Sequence, residues 1–169
     1  MLTIETSRLI LTELRLADAP FILALYNTPL FKQFVGDKQL VTITDSEQYL
    51  TNNLISMYQQ PFMGLLKVSL KNDNTAIGIC GLIKRDSLQD IDLGYGYLPE
   101  YLCQGYGTEA ATACLTLAHE QLSLKRIVAI TQSDNQACIK LLTKLGFSFE
   151  HNNSQIDELT TLDQYGLAL

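Results

Sequence analysis

The sequence predicts a single α/β domain, over residues 1–169, in which a mixed and mostly antiparallel sheet of about seven strands is flanked by about four helices. Three observations predict this fold. Apolar runs joined by hairpin-length turns fill the middle of the chain, and strand and helix patterns alternate in its second half. A chain of 169 residues with 47% hydrophobic content can also bury one sizeable core.

The first part of the chain predicts one strand and two helices. Residues 8–15 mix apolar and polar positions as a strand does, and Asp18 then caps a helix that runs to about Tyr26. Residues 44–47 have the Ser/Thr-x-x-Glu form of a capping box. Apolar positions follow at helical spacing, so the second helix runs to about Tyr58.

The middle of the chain predicts antiparallel strands. Residues 64–70 and 75–84 are apolar runs, and the polar link over residues 71–74 between them has hairpin length. A third strand pattern covers residues 90–98.

The second half alternates helix and strand patterns. Apolar positions recur at helical intervals over residues 108–124, and a second helix over residues 135–145 ends at Gly146. The strands predicted here are residues 126–130, 147–151 and 158–169.

The charge of the chain limits its partners. Twelve basic residues against eighteen acidic ones give a net charge of −6, the wrong sign for gripping a phosphate backbone, so no nucleic acid partner is expected. An acidic surface favours a cationic substrate such as an amine, although it also serves solubility. No apolar stretch approaches the length that spans a bilayer, and the amino terminus does not resemble an export signal, so neither a membrane nor secretion is expected.

The cysteines and histidines indicate neither a disulfide scaffold nor a metal site. Cys80, Cys103, Cys114 and Cys138 show no CxxC pairing and no cysteine and histidine cluster, which is typical of reduced thiols in a cytoplasmic protein. The two histidines lie near no pattern of a catalytic triad. We therefore expect no metal.

The most informative segment is residues 92–109, which runs from a strand through a tight loop into a helix. A glycine-rich turn that opens a helix leaves backbone N–H groups unpaired at the positive end of the helix dipole, where a phosphate binds well. Gly105 and Gly107 permit a close approach to that phosphate. The segment from Gln104 to Gly107 is therefore predicted to hold a pyrophosphate.

A dinucleotide site is the alternative interpretation of this segment. Residues 105–110 satisfy the letters of the G-x-G-x-x-A fingerprint. In that fingerprint the glycines follow a strand directly, whereas residues 99–104 intervene here. Lys125 and Arg126 also stand where an acid that binds the ribose is expected, so the dinucleotide interpretation is disfavoured.

Several segments in fixed order resemble the GNAT superfamily of N-acetyltransferases, in particular the branch of the ribosomal-protein N-terminal (RimJ/RimL-like) acetyltransferases. The resemblance covers nearly the whole chain. The segments that carry it are residues 5–11, 92–95, 99–101, 104–109, 134–135, Cys138 and residues 144–147.

The resemblance implies that acetyl-CoA is the cosubstrate and that its acetyl group passes directly to a primary amine, either a protein N-terminal α-amine or a small amine. It implies a splayed pair of strands, Asp92 to Leu98 against Arg126 to Ile130, with the pantetheine arm between them. The implied coenzyme ligands are main-chain groups of Gly96, Tyr97 and Leu98, the loop residues Cys103, Gln104, Gly105, Tyr106, Gly107 and Thr108, and the side chain of Asn135. The alternative interpretation of Asn135 is a helix cap.

Two catalytic residues are expected from the resemblance. Asp92 stands near where relatives carry a base that deprotonates the amine, and Gly94 and Gly96 leave its face of the strand bare for a substrate. The alternative for Asp92 is a solvated carboxylate at a strand end. Cys138 stands where this branch commonly has serine, and its thiol would protonate the leaving sulfur; the alternative is a small buried core residue. A strand N–H near Leu98 would hold the oxyanion.

Two departures weaken the match. Leu102 stands where the family has Gln or Arg before the glycines, so the pyrophosphate would rest on backbone dipoles. Leu142 stands where many relatives have the tyrosine that acts as acid. The absent tyrosine is the main argument for a contrasting function, a coenzyme A-binding regulatory module without catalysis. Whether the chain is a monomer or a homodimer stays open.

Overall fold

The computed structural model describes residues 1–153 and 162–169, and these form an eight-stranded sheet with five α-helices. The strands are β1 Thr3–Glu5, β2 Leu9–Glu13, β3 Gly64–Leu70, β4 Ala76–Ile83, β5 Asp92–Tyr97, β6 Arg126–Gln132, β7 Ser148–Asn153 and β8 Leu162–Ala168. The helices are α1 Ala19–Tyr26, α2 Pro29–Phe34, α3 Ile43–Tyr49, α4 Tyr106–Glu120 and α5 Gln136–Lys144.

The sheet confirms the predicted fold class, with one strand more than expected. Its order is β1-β2-β3-β4-β5-β6-β8-β7, and every neighbouring pair is antiparallel except β5 and β6, which run parallel. The extra strand is β1, whose three residues are too few to show an alternating pattern. The predicted start of the last strand at residue 158 lies outside the described residues.

The sheet opens between β5 and β6. Along these two fully described strands only Asp92 and Val128 are in register, beside a bond of 3.0 Å from the Val128 N–H to the Ile91 carbonyl. Strand β5 is instead paired with β4 over its whole length. The splayed pair of strands implied by the resemblance is therefore present.

The two faces of the sheet bury separate apolar cores. Alternate residues of β3 and β4 point to opposite faces, so that Leu66 and Cys80 pack toward α4 whereas Leu65 and Ile79 pack toward α1 and α3. Helices α1 to α3 therefore cover one face, and α4 and α5 cover the other.

The region before β3 differs most from the prediction. Helix α2 was not expected, although Thr28 caps it by accepting a bond from the Phe31 N–H. The capping box lies two residues earlier than predicted, at Thr42 and Asp45, because an aspartate at the third helical position accepts the reciprocal bond as a glutamate does. Helix α3 ends at Tyr49 and continues as a π-turn and a 3-10 turn instead of running to Tyr58.

Within the described part of the chain, no helix is both long and apolar enough to cross a membrane.

Candidate active site

The loop between β5 and α4 contains two residues with left-handed backbone conformations. Cys103 has φ +59°, and Gly105, the N-cap residue of α4, has φ +83°. Glycine adopts that conformation without the steric cost that a Cβ brings. The glycine at position 105 therefore follows from the shape of the turn.

This loop presents a run of unpaired N–H groups. The first N–H of α4 with a partner in the helix is that of Glu109, which donates to the Gly105 carbonyl at 3.1 Å. Over the described residues, the six N–H groups of residues 103–108 have no acceptor. Six free donors at the positive end of a 15-residue helix match the chemistry of a phosphate group, so the residues present fit the pyrophosphate of coenzyme A.

An ion pair braces the loop from β2. The Glu109 carboxylate accepts bonds from the Arg8 Nε at 2.7 Å, the Arg8 main-chain N–H at 2.8 Å and the Thr6 hydroxyl at 2.6 Å. Arg8 also donates from Nη1 to the Gln104 carbonyl at 3.0 Å and lies 4.5 Å above the Tyr106 ring. Burial of Glu109 works against ionisation, but these bonds outweigh it and lower the pKa of the carboxyl. Sequence reasoning missed this brace, because only the fold brings the two ends together.

Gly107 has a packing role that the sequence did not indicate. Its φ is not left-handed, and a Cβ there would lie 2.7 Å from Leu141 Cδ1 and 3.4 Å from Tyr97 Cε2. Gly107 therefore permits α4 to pack closely against α5 and β5, and a larger side chain would disturb packing as well as the phosphate.

Substituting Gly105 by alanine tests the loop. We expect Gly105→Ala to lower stability by about 1 kcal/mol through strain at positive φ, and to weaken coenzyme A binding about 10-fold because the N–H groups shift. Calorimetric titration and thermal unfolding measure the two effects. Gly146→Ala is the matched control, since Gly146 has φ +95° at the end of α5, away from the loop. Unchanged affinity in both variants would exclude the loop as the phosphate site.

A cavity of about 570 Å³ begins at the opening between β5 and β6 and extends toward α2. Its lining includes two groups of neighbouring side chains. One group contains Cys138, Asn135 and Tyr95, and the other contains Asp92, Arg85 and aromatic residues of α1 to α3. A cavity of this size lies within the range of small-molecule sites.

Asp92 is almost completely buried in this cavity. Its side chain is 1% exposed, and Arg85 Nε donates to both carboxylate oxygens at 3.1 and 3.2 Å. Burial raises the pKa of Asp92 to about 6, although the neighbouring Arg85 acts against this rise. The alternative of a solvated carboxylate is therefore wrong, and the carboxyl titrates close to neutral pH.

The glycine face of β5 is not bare, contrary to expectation. A Cβ at Gly96 would clash with the ring of Phe31 from α2, and one at Gly94 would lie 2.6 Å from Ile83 Cδ1. These glycines therefore accommodate the protein's own side chains, and space for a substrate lies beyond Phe31.

Cys138 lies beside a hydroxyl group that sequence reasoning did not select. The Tyr95 Oη is 3.0 Å from Cys138 Sγ, and the Cys138 N–H donates to Asn135 Oδ1 at 3.2 Å. Burial raises the pKa of Cys138, against smaller opposing effects from Thr131 and Tyr95. The sulfur is therefore a neutral thiol at physiological pH, in a half-buried position within hydrogen-bonding reach of a phenol.

Asn135 is the N-cap of α5, as the alternative interpretation predicted. Capping uses only its Oδ1, and Nδ2 has no acceptor among the residues described. The Nδ2 group therefore remains available to bind an amide carbonyl in the cavity.

The main-chain N–H and C=O groups of successive residues along β5 point alternately toward β4 and toward β6. The Leu98 N–H donates to the Ile77 carbonyl at 2.9 Å, toward β4, whereas the Ile91 carbonyl faces β6. In an antiparallel pair, residues on one strand bond alternately to the two sides, so Gly96 also points to β4 and Tyr97 points into the opening. The Leu98 N–H is therefore not available as an oxyanion donor, and the neighbouring N–H that faces the opening is that of Tyr97.

A family model described as an acetyltransferase (GNAT) domain matches residues 8–148. The chain belongs to the GNAT acetyltransferase family. Among its relatives, the uncharacterised N-acetyltransferase YoaA of Bacillus subtilis is 27% identical over 150 residues, which cover 87% of this chain and 83% of YoaA. The GNAT resemblance read from the sequence is confirmed.

Solved structures share the GNAT fold of this chain. An acetyltransferase from Agrobacterium tumefaciens has a TM-score of 0.85 at 22% identity, with 100% of this chain and 95% of that chain covered. RimL, a ribosomal L7/L12 α-N-protein acetyltransferase in complex with coenzyme A, has a TM-score of 0.85 at 16% identity, with 99% and 98% covered. In that RimL structure, coenzyme A forms a disulfide with a cysteine.

The leucine at position 142, where many relatives have a tyrosine that acts as acid, does not support a coenzyme A-binding module without catalysis. Its side chain is completely buried in the apolar core and does not line the cavity. Tyr95, on β5, instead supplies a hydroxyl group to the cavity. In the described ranges, no group of three or more histidine, cysteine or acidic residues is placed to hold a metal ion.

Proposed function

We propose that this GNAT enzyme transfers the acetyl group of acetyl-CoA to a primary amine by direct attack in a ternary complex. The observation that carries the proposal is the opening between β5 and β6: beyond Asp92 the edge of β5 is not paired with β6, and the loop with the unpaired N–H groups of residues 103–108 follows the end of that strand. Acetyl-CoA supplies an acetyl group activated as a thioester. The chain supplies the positioning of the reactants and the groups for proton transfer.

The coenzyme ligands follow from the donors that are free. Main-chain N–H groups of Cys103, Gln104, Gly105, Tyr106, Gly107 and Thr108 would hold the pyrophosphate. Main-chain groups of Tyr97 and the Asn135 amide would bind the pantetheine arm, while Gly96 and Leu98 hold that strand in place through their bonds to β4. The Tyr97 N–H would stabilise the negative charge that develops on the acetyl oxygen.

Proton transfer is assigned to the two groups of side chains in the cavity lining. Asp92 takes one proton from the amine, directly or through water, as the new C–N bond forms. As the C–S bond breaks, the departing thiolate gains one proton from Cys138, whose sulfur lies 3.0 Å from the Tyr95 hydroxyl. The RimL structure with a disulfide between coenzyme A and a cysteine supports placing a cysteine of this fold beside the coenzyme's sulfur.

Turnover with a panel of amines tests this function. Release of free thiol from acetyl-CoA is followed with peptides, polyamines, amino acids and aminoglycosides, and mass spectrometry confirms the acetylated product. RimL acts on a protein α-amine, which supports including peptides. Coenzyme A binding without thiol release in the presence of any of these amines would favour the regulatory module.

All four cysteines are free thiols, which supports a reducing, cytoplasmic setting.

Acetyl-CoA is expected to stabilise the fold. A ligand present at a hundredfold excess over its dissociation constant stabilises the folded state by about 2.7 kcal/mol, because it binds only that state. Thermal unfolding should show this shift with acetyl-CoA and no shift with NADH. A shift with NADH but none with acetyl-CoA would revive the dinucleotide interpretation.

A further inference from the structure

Arg85 stands next to Asp92 with most of its donors unused. Its Nε bonds to the Asp92 carboxylate, whereas neither Nη nitrogen has an acceptor anywhere in residues 1–153 or 162–169. A guanidinium stays protonated at any pH that proteins tolerate, and it presents its N–H groups as a planar fork that matches a carboxylate. The Nη side of that fork is therefore available to a molecule in the cavity.

The cavity is cationic although the protein is acidic. Its charged lining residues are Lys32, Lys38, Arg85 and Asp92. Lys32 pairs with exposed Asp37 at 3.7 Å and Arg85 pairs with Asp92 through Nε, so Lys38 and the free Nη groups of Arg85 leave this region with an excess of positive charge in a chain of net charge −6. The phosphate loop, residues 103–108, is not part of this lining, so these cations do not serve the phosphates of the coenzyme. Such a local reversal of charge favours an acceptor that carries an anionic group besides its amine.

Two phenols and an apolar wall complete this part of the cavity. The rings of Tyr26 and Tyr49 meet edge to face with centroids 5.2 Å apart. Burial raises the pKa of both phenols and the charge of Arg85 acts against it, which places the guanidinium within electrostatic reach of both. Leu54 and Met57 add apolar surface nearby. The site thus combines one cation, two hydroxyl groups and space for an apolar side chain.

We propose that the acceptor is a free α-amino acid, whose amine approaches Asp92 and whose carboxylate is bound by the Nη groups of Arg85. The proposal rests on the acetyl transfer proposed above. In an α-amino acid the amine and the carboxylate share one carbon, so the two groups suit a carboxylate and a guanidinium that are in direct contact. A protein N-terminus has an uncharged amide where the amino acid has its carboxylate, and it would leave the Nη groups of Arg85 without an anionic partner.

Paired substrates test the proposal. Thiol release is measured with L-leucine, L-methionine and L-phenylalanine and with their carboxamides, and kcat/KM is expressed per neutral amine because the amide is the weaker base. We expect the acids to be preferred by about 10-fold or more, since only a carboxylate forms charge-assisted hydrogen bonds with both Nη groups. Arg85→Gln should reduce that preference to within about 3-fold, mainly through KM. Lys84→Gln, which removes an exposed charge one residue away, should leave it unchanged.

The decisive measurement is the ratio of kcat/KM for the acid to kcat/KM for its carboxamide. Arg85→Gln also alters Asp92 and is expected to slow both substrates together, so the absolute rates alone do not test the proposal. Tyr49→Phe keeps the Arg85–Asp92 pair and should lower the ratio by a smaller factor, about 3-fold. Equal use of acids and amides by the wild type would overturn the amino acid assignment while leaving acetyl transfer intact. If none of these six amines releases thiol, calorimetry of N-acetyl-L-phenylalanine and its amide on the coenzyme A-loaded protein decides, and equal or absent binding overturns the proposal.

Discussion

Replacing Asp92 by asparagine is expected to lower kcat/KM by about 10² to 10⁴-fold at neutral pH, because the amine then loses its base. The loss should shrink at high pH, where the amine is already neutral. With a pKa of about 6, Asp92 should also give the wild-type rate a rise near pH 6 that the variant lacks. A decrease of only a few fold, with the rise near pH 6 retained, would remove Asp92 from the mechanism.

Stability measurements separate this loss from unfolding. The raised pKa means that the folded state binds the Asp92 proton more tightly than the unfolded chain does. The stabilisation from neutral Asp92 is therefore present below about pH 4 and is lost as the pH rises through about 6. Asp92→Asn should not lose this stabilisation as the pH rises, so the free energy of unfolding of the variant at pH 8 should equal or exceed that of the wild type. Chemical unfolding at pH 4 and pH 8 measures the difference.

The second large effect is expected at Cys138. Incubation with the disulfide of coenzyme A should convert Cys138 into a mixed disulfide, as its thiolate attacks one sulfur and the other leaves as the free coenzyme thiolate. Activity should fall as the adduct forms and return with a reductant. Because burial raises the pKa of Cys138, the reaction should be slow at neutral pH and should accelerate as the pH rises. Intact mass spectrometry follows the adduct.

Three variants assign the chemistry of the sulfur. Cys138→Ser should keep acetyl transfer, since a hydroxyl can still donate, and should abolish the adduct. Cys138→Ala should lower kcat by about 10²-fold with little change in coenzyme affinity. Tyr95→Phe retains the ring but removes the hydroxyl 3.0 Å from the sulfur, so a lower kcat there would extend the acid role to the pair. An adduct that persists on Cys138→Ser would point to exposed Cys103 instead, and normal turnover of Cys138→Ala would refute the acid role.

The features that could be predicted leave a local mark on the sequence. Strands β3 and β4 separate two cores, so alternate residues along each strand pack into opposite cores. The left-handed turn before α4 favours glycine at position 105. The end of α5 is marked by Gly146 in the same way. Such features depend on a few adjacent residues, so their chemistry is visible without the fold.

The features that could not be predicted depend on packing between distant segments. Asp92 is buried only because Arg85 and the helices before β3 cover it, and Tyr95 meets Cys138 only because α5 begins beside β5. The direction of the Leu98 N–H depends on the register with β4, which side-chain patterns do not report. Helix α2 has six residues, fewer than two turns, so it is too short to show a repeating helical pattern, although Thr28 followed by Pro29 marks its start.

The contact between Arg8 and Glu109 also bears on when the loop of residues 103–108 takes its final shape during folding. It joins residues 101 positions apart, and the Thr6 bond to the same carboxylate spans 103 positions. Contacts of such high sequence separation close a large loop of chain, which costs entropy before any contact stabilises it. Helix α4 can therefore form early from local contacts, while the loop at its start acquires its final shape only when the amino-terminal strands join the sheet. We therefore expect the proposed pyrophosphate site to form late in folding, when the amino-terminal strands complete the edge of the sheet.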